Sequence, residues 1–204
     1  MAVKIVRILI VVPILVFLFF YGLDAFLKRQ ESKKSEEEAG HRITRRQILE
    51  NAKKNLKMLN WAEKEASPKK IESLKKRHGK NIEIAATHHR IDQKLIASIV
   101  LVESGGNANA VSSKKAIGLM GVKNIAARDV KADPKYLKDP FYNLLIGSKY
   151  LKSLETKYRF RRLPDQLLAY NRGPDDAKAM LTANYQPAKD AYVQKVFLAL
   201  EKMR

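Results

Sequence analysis

Beyond Thr44 the apolar residues of this 204-residue chain recur at helical spacing, and no segment alternates convincingly between apolar and polar. Ile48, Leu49, Ala52, Leu56 and Leu59 fall on one stripe; Leu95, Ile96, Ile99, Val100 and Val102 crowd another. A period near 3.6 puts such residues on one face of a helix, whereas a half-buried strand needs a period of 2. The punctuation agrees. Asp92 stands where a helix N-cap is wanted, and Gly105-Gly106 follow where left-handed backbone would close that helix. Thr44 and Pro68 open two earlier helices, the first ending before Ser67-Pro68. The second is expected to break at His78-Gly79, leaving a short helix around Ile82, Ala85 and Ala86. Further helices are expected over 143–158, 165–170 and 185–203, with Gly173-Pro174 as a helix stop. The chain therefore reads as an all-α globule without internal repeats.

The first third is different. From Ile8 to Leu23 no charged residue occurs, and the run contains Pro13, three Phe and a closing Tyr21. That suits an uncleaved membrane anchor over residues 1–27 with an interfacial aromatic. A secretory leader would need small residues at its cleavage site, and Gly22-Leu23-Asp24-Ala25-Phe26 offers bulky ones instead. Residues 28–67 are expected to be a charged stalk followed by an amphipathic helix, either a spacer or a face that packs on the domain or on a second copy. Residues 68–204 form the globular domain. The chain has no Cys, so it carries neither a disulfide nor a lipid-modified cysteine.

The net charge is +19, which draws the protein to polyanions. Lysines and arginines crowd the segment after the anchor and the stretch from Lys69 to Lys80, with no interleaved aromatics and no nucleic-acid-binding motif. Membrane or cell-wall affinity is the expectation, and a nucleic-acid partner is not. The adjacent His88 and His89 point in different directions on a helix and make no metal site. Phosphate-cradling loops and nucleophile motifs are absent, and no cofactor is expected.

Glu103 is the residue that carries chemistry. It closes an apolar helix, so its carboxylate emerges from packed side chains rather than from a charged face. Desolvation and the negative end of the helix dipole both disfavour its ionised form and keep a proton available near neutral pH. No second carboxylate is evident: Asp129, Asp139 and Asp175 sit in segments that caps and turns explain. Ser104 either orients Glu103 or fixes the turn.

Three segments taken together resemble a known family: Val102-Glu103-Ser104-Gly105-Gly106-Asn107, Ala116-Ile117-Gly118-Leu119-Met120 and Ala169-Tyr170-Asn171-Arg172-Gly173-Pro174. They are similar to the lytic transglycosylases of the soluble-type, goose-lysozyme-like superfamily, closest to the membrane-bound endolytic branch. Asp139-Pro140, Asn143, Gly147 and Tyr192-Val193 fall at family-like spacings, and the resemblance runs from about Ile71 to the C-terminus. It implies a lysozyme-like fold and cleavage of peptidoglycan glycan strands between N-acetylmuramic acid and N-acetylglucosamine. It also implies that the substrate's acetamido group assists, that the 6-hydroxyl attacks in place of water to give a 1,6-anhydro end, and that Glu103 acts as acid and then as base. Met120 would pack against a sugar face, and Tyr170 and Asn171 would bond near the acid and the acetamido group.

One departure stands out. The family usually has Gln where this chain has Gly121, and Asn124 replaces a common proline. On that reading a polar side chain facing the substrate is missing, and Gln restored at 121 would add one hydrogen bond of about 0.5 to 1.5 kcal/mol. The expected protein is a single-pass inner-membrane transglycosylase with its C-terminal domain on the outer, periplasmic face, acting alone or within an envelope-spanning complex. The alternative is a catalytically impaired peptidoglycan-binding or scaffold module at the membrane.

Overall fold

The computed structural model describes residues 28–36 and 46–203. The expected anchor, residues 1–27, lies outside them. Among the described residues no helix is long and apolar enough to cross a membrane. The chain divides into two compact units, Met1–Asn55 and Leu56–Arg204. In the first, residues 28–36 and 46–55 are helical, and Ile48 and Leu49 are exposed.

The second unit is built of helices: α1 (56–65), α2 (Pro68–His89), α3 (Gln93–Ser104), α4 (Asn124–Asp129), α5 (Pro140–Thr156), α6 (Leu163–Arg172), α7 (Pro174–Thr182) and α8 (Ala191–Lys202). Short 3-10 turns cover Pro134–Lys138 and Pro187–Lys189. Among the described residues there is no strand, only isolated antiparallel bridges joining Ile117 to Val111 and to Val122.

α3 is the central element. Asp92 accepts a hydrogen bond from the Lys94 amide at 2.8 Å and so caps its start. Ile96, Ile99, Val100 and Leu101 are all fully buried, which makes it a core helix rather than a surface one. Each such side chain contributes about 1.5 to 3 kcal/mol by leaving water. α3 packs against α2 on one side and α8 on the other, while α5 links α2 to α6. Gly105 ends the helix at φ 59°, its amide donating to Leu101 O at 3.1 Å. Glu103 is thereby held in the last turn of a buried helix.

Two expectations require correction. α2 runs unbroken through Gly79, because Leu74, Ile82, Ala85 and Ala86 continue one buried face across it. An interior glycine costs a helix only about 1 kcal/mol, which that packing outweighs. α2 stops instead at Arg90, a left-handed residue whose amide and that of Ile91 donate back to Thr87 O and Ala86 O. Gly173-Pro174 is a start as well as a stop. Gly173 ends α6, and Pro174 opens α7 with Asp175 and Asp176 in its first turn, where the helix dipole favours acids. α7 buries little more than Ala177, so its apolar signal is faint.

Residues 56–66 pack with the globule through Ala62 and Ala66, both buried, and Lys70 of α2 pairs with Glu65. α8 is capped by Asp190, which is 2 % exposed and also receives Arg172 at 3.0 Å and the Tyr185 hydroxyl at 3.2 Å. Burial alone would raise the Asp190 carboxyl, but the Arg172 guanidinium and the two α8 amides outweigh it and hold the group below the usual carboxylate range.

Candidate active site

Between the end of α3 and the start of α4 the chain makes a tight turn, 117–121, that faces Glu103. Its backbone groups are fastened by side chains from three helices. Asn143 of α5 is completely buried; it accepts from the Met120 amide and donates to Ile117 O and Leu137 O, each at 2.8 Å. The Ser104 hydroxyl lies 2.9 Å from Leu119 O and 3.1 Å from Val100 O. Tyr170 of α6 donates to Met120 O at 2.9 Å. Gly118 is required here: at φ 77°, a Cβ would stand 2.6 Å from the Asn143 Cγ and 2.8 Å from Leu137 O.

A cleft of about 580 Å3 opens over this turn. Glu103, Gly121 and Lys123 line one side; Tyr170, Asn171 and Gly173 line the α6–α7 junction; Asp129, Tyr150, Tyr158 and Asp175 lie at its margin. Ser112, Ser113 and Lys114 from the preceding loop and the exposed Ile125 complete the rim.

Burial pushes the Glu103 carboxyl from its ordinary 4.5 up to about 7, with the Tyr192 hydroxyl and the Lys123 charge pulling it part of the way back. The Tyr192 hydroxyl is itself buried beside the acid and makes no hydrogen bond of ordinary geometry. Burial and the Glu103 charge together hold the phenols of Tyr170 and Tyr192 well above their usual range, so both remain proton donors. The Tyr170 hydroxyl is occupied by Met120 O, and the Tyr192 hydroxyl is a neutral neighbour of an acid whose pKa burial raises to about 7. Such a pKa is what a general acid needs if it must also serve as a base.

Glu103, Gly121, Tyr170 and Asn171 thus meet at one cleft, as the sequence pattern suggests. Two expected substrate contacts do not reach it. Met120 is completely buried, its side chain packed on Gly147 and its sulfur 3.7 Å from the Ser148 hydroxyl, so it presents no surface to a sugar. Ser104 points under the turn rather than into the cleft, and of its two expected roles it fills the structural one. Asp129 and Asp175, explained from the sequence as turn residues, do face the cleft. Asp129 is engaged by the Tyr158 hydroxyl at 2.8 Å and by Lys157 at 2.5 Å. Asp139 is purely a cap, accepting from the Tyr142 amide at 2.9 Å. The roles of Tyr192 and Lys123 were not read from the sequence. Tyr192 was signalled only by the family-like spacing of Tyr192-Val193, with no role attached to it.

Gly121 also requires correction. The direction its Cβ would take leads to Glu103, 2.8 Å from the carboxyl carbon and nearer still to Oε2. A glutamine built there would collide with the acid before it could reach a substrate.

Residues 80–193 match the family model described as Transglycosylase SLT domain. The chain is 33% identical over 130 residues to membrane-bound lytic murein transglycosylase E of Buchnera aphidicola subsp. Baizongia pistaciae (strain Bp), a match covering 58% of this chain and 56% of that relative. It therefore spans little more than half the length of the relative. The fold is similar to that of an inactive mutant of lytic transglycosylase Slt from Pseudomonas aeruginosa. There the TM-score is 0.53 at 22% identity, over 61% of this chain and 23% of the other. With more than half of its residues inside the matched region, and with an all-helical domain around one cleft, the chain belongs to the transglycosylase SLT family.

Proposed function

We propose that this protein is a membrane-anchored peptidoglycan lytic transglycosylase and that Glu103 is its acid and base. The observation that carries the proposal is the Glu103 carboxyl in the cleft wall, which burial pushes up to about 7, beside aspartates of the same cleft of which Asp129 is engaged by Lys157 and the Tyr158 hydroxyl. Glu103 gives that proton to the oxygen linking N-acetylmuramic acid to N-acetylglucosamine, and the bond from C1 to that oxygen breaks. The carboxylate then removes the proton of the muramic 6-hydroxyl as its oxygen bonds to C1. No water is consumed, and the product carries a 1,6-anhydro ring. The acetamido group of the sugar meets the charge developing at C1. Asn171, half-buried in the cleft wall, is the residue this reading assigns to that group, and the Tyr170 hydroxyl holds the turn that faces the acid.

The anchor over residues 1–27 would keep the domain on the outer face of the inner membrane, where glycan strands lie and where an envelope-spanning complex would need the wall opened. The alternative of an impaired binding module rested on Gly121, and the fit of that glycine against Glu103 supplies a reason for it within an active enzyme. Mass spectrometry of peptidoglycan digested by the detergent-solubilised protein tests the reaction type. Anhydro ends, lighter by one water than hydrolytic ends, are expected; hydrolytic ends alone would make the protein a lysozyme-type hydrolase.

A further inference from the structure

The turn beneath the acid has no freedom to yield. Ile117 and Val122 exchange reciprocal amide–carbonyl bonds at 3.0 and 2.9 Å, Gly118 donates to Ala110 O at 2.8 Å, and Gly121 donates to Gly118 O at 3.1 Å. Asn143 and Tyr170 hold the same turn from buried positions. Gly121 sits in it at φ 59°. Its missing side chain is aimed at Glu103, where a Cβ would lie 2.8 Å from Cδ and 3.2 Å from Cβ of the acid. Real Cβ atoms do not approach that closely, and here the backbone on one side is clamped. The carboxylate is the part that would move.

We propose that in this chain Gly121 is a positioning residue for Glu103: the carboxylate rests in the space that the family's usual Gln would fill, and a Cβ added to this turn at 121 drives the acid out into the cleft. This builds on the acid–base role of Glu103 proposed above. It makes a prediction about charge as well as place, because a carboxylate displaced into the cleft regains water and loses the cause of its raised pKa.

Two demands on residue 121, backbone and volume, can be separated. Asn accepts left-handed backbone with little strain but carries a Cβ, whereas Ala carries the Cβ and the strain together. In the full-length, detergent-solubilised protein, Gly121→Asn and Gly121→Ala are each expected to lower kcat on purified peptidoglycan about 10- to 100-fold while KM changes little, as a misplaced group does. The Glu103 carboxyl, followed by carbon-13 NMR across pH, is expected to titrate below its wild-type value in both. Wild-type kcat and an unmoved titration in Gly121→Asn would overturn the proposal, since the glycine would then serve only its backbone angle.

A stability cycle covers variants that fold poorly. Gly121→Ala should lower Tm more in the wild-type background than in Glu103→Ala, where the group it strikes is gone. Equal losses in the two backgrounds would overturn the proposal. The titration and the cycle use no substrate, so they stand apart from any failure of the peptidoglycan assay.

Discussion

The hydroxyl of Tyr170 donates to the carbonyl of Met120 at 2.9 Å, and this one bond ties α6 to the turn that faces Glu103. Replacing Tyr170 with Phe keeps the ring packing on Tyr150 and leaves a buried carbonyl without a partner. A loss of about 1 to 3 kcal/mol in urea unfolding is expected. Turnover on peptidoglycan should fall with it, because the turn loses its fastening on the cleft side. Unchanged stability would mean that water or another donor already serves the Met120 carbonyl.

Asn143 is the stronger fastening. Its amide satisfies Ile117 O, Leu137 O and the Met120 amide from a completely buried position. Asn143→Leu is similar in size but orphans all three groups, and a loss of about 3 to 5 kcal/mol is expected by chemical denaturation. A loss below 1 kcal/mol would show that the turn holds itself.

Glu103 should make stability depend on pH in an unusual direction. Its folded pKa, about 7, lies above its ordinary 4.5, so the folded state holds the proton more tightly. Its contribution is therefore fully present below about pH 4.5 and is lost as pH rises through 7. Glu103→Gln does not pay that cost, and the variant should melt above wild type at pH 8. The advantage should be about 1 to 3 kcal/mol and should vanish by pH 4. Parallel curves for the two proteins from pH 4 to 8 would mean that Glu103 titrates normally.

Topology follows from the proposed substrate. An N-terminus in the cytoplasm and a domain outside are expected, although Lys28, Arg29, Lys33 and Lys34 outnumber Lys4 and Arg7. A long domain is translocated largely regardless of such charges. A reporter active only outside the cytoplasm, fused after Arg204, should give signal, and activity of a cytoplasmic reporter alone would reverse the orientation.

The parts of this fold written in local rules could be read from the chain. Asp92, the apolar run to Val102 and Gly105 together define α3 to the residue, because cap, stripe and stop act within a few positions of one another. Tyr170 and Asn171 were placed at the cleft by their motif. What escaped depends on neighbours far along the chain. Gly79 breaks nothing because Ile82 and Ala85 are buried by other helices, and α7 hides behind a Gly-Pro pair that both ends and begins a helix. Met120 looks free to meet a sugar until Gly147, 27 positions later, is seen to take its side chain. Gly121 looked like a loss because its partner is not the substrate but the acid 18 positions before it.

The most direct test of the central claim is the rate at which Glu103→Gln releases soluble fragments from purified peptidoglycan near pH 6, beside the wild-type protein. The amide keeps the shape of the side chain but has no acidic proton to give. Loss of one positioned acid costs about 100- to 10,000-fold. A folded variant with at most one hundredth of the wild-type rate is the predicted result. A variant that digests peptidoglycan as fast as wild type would show that Glu103 is not the acid.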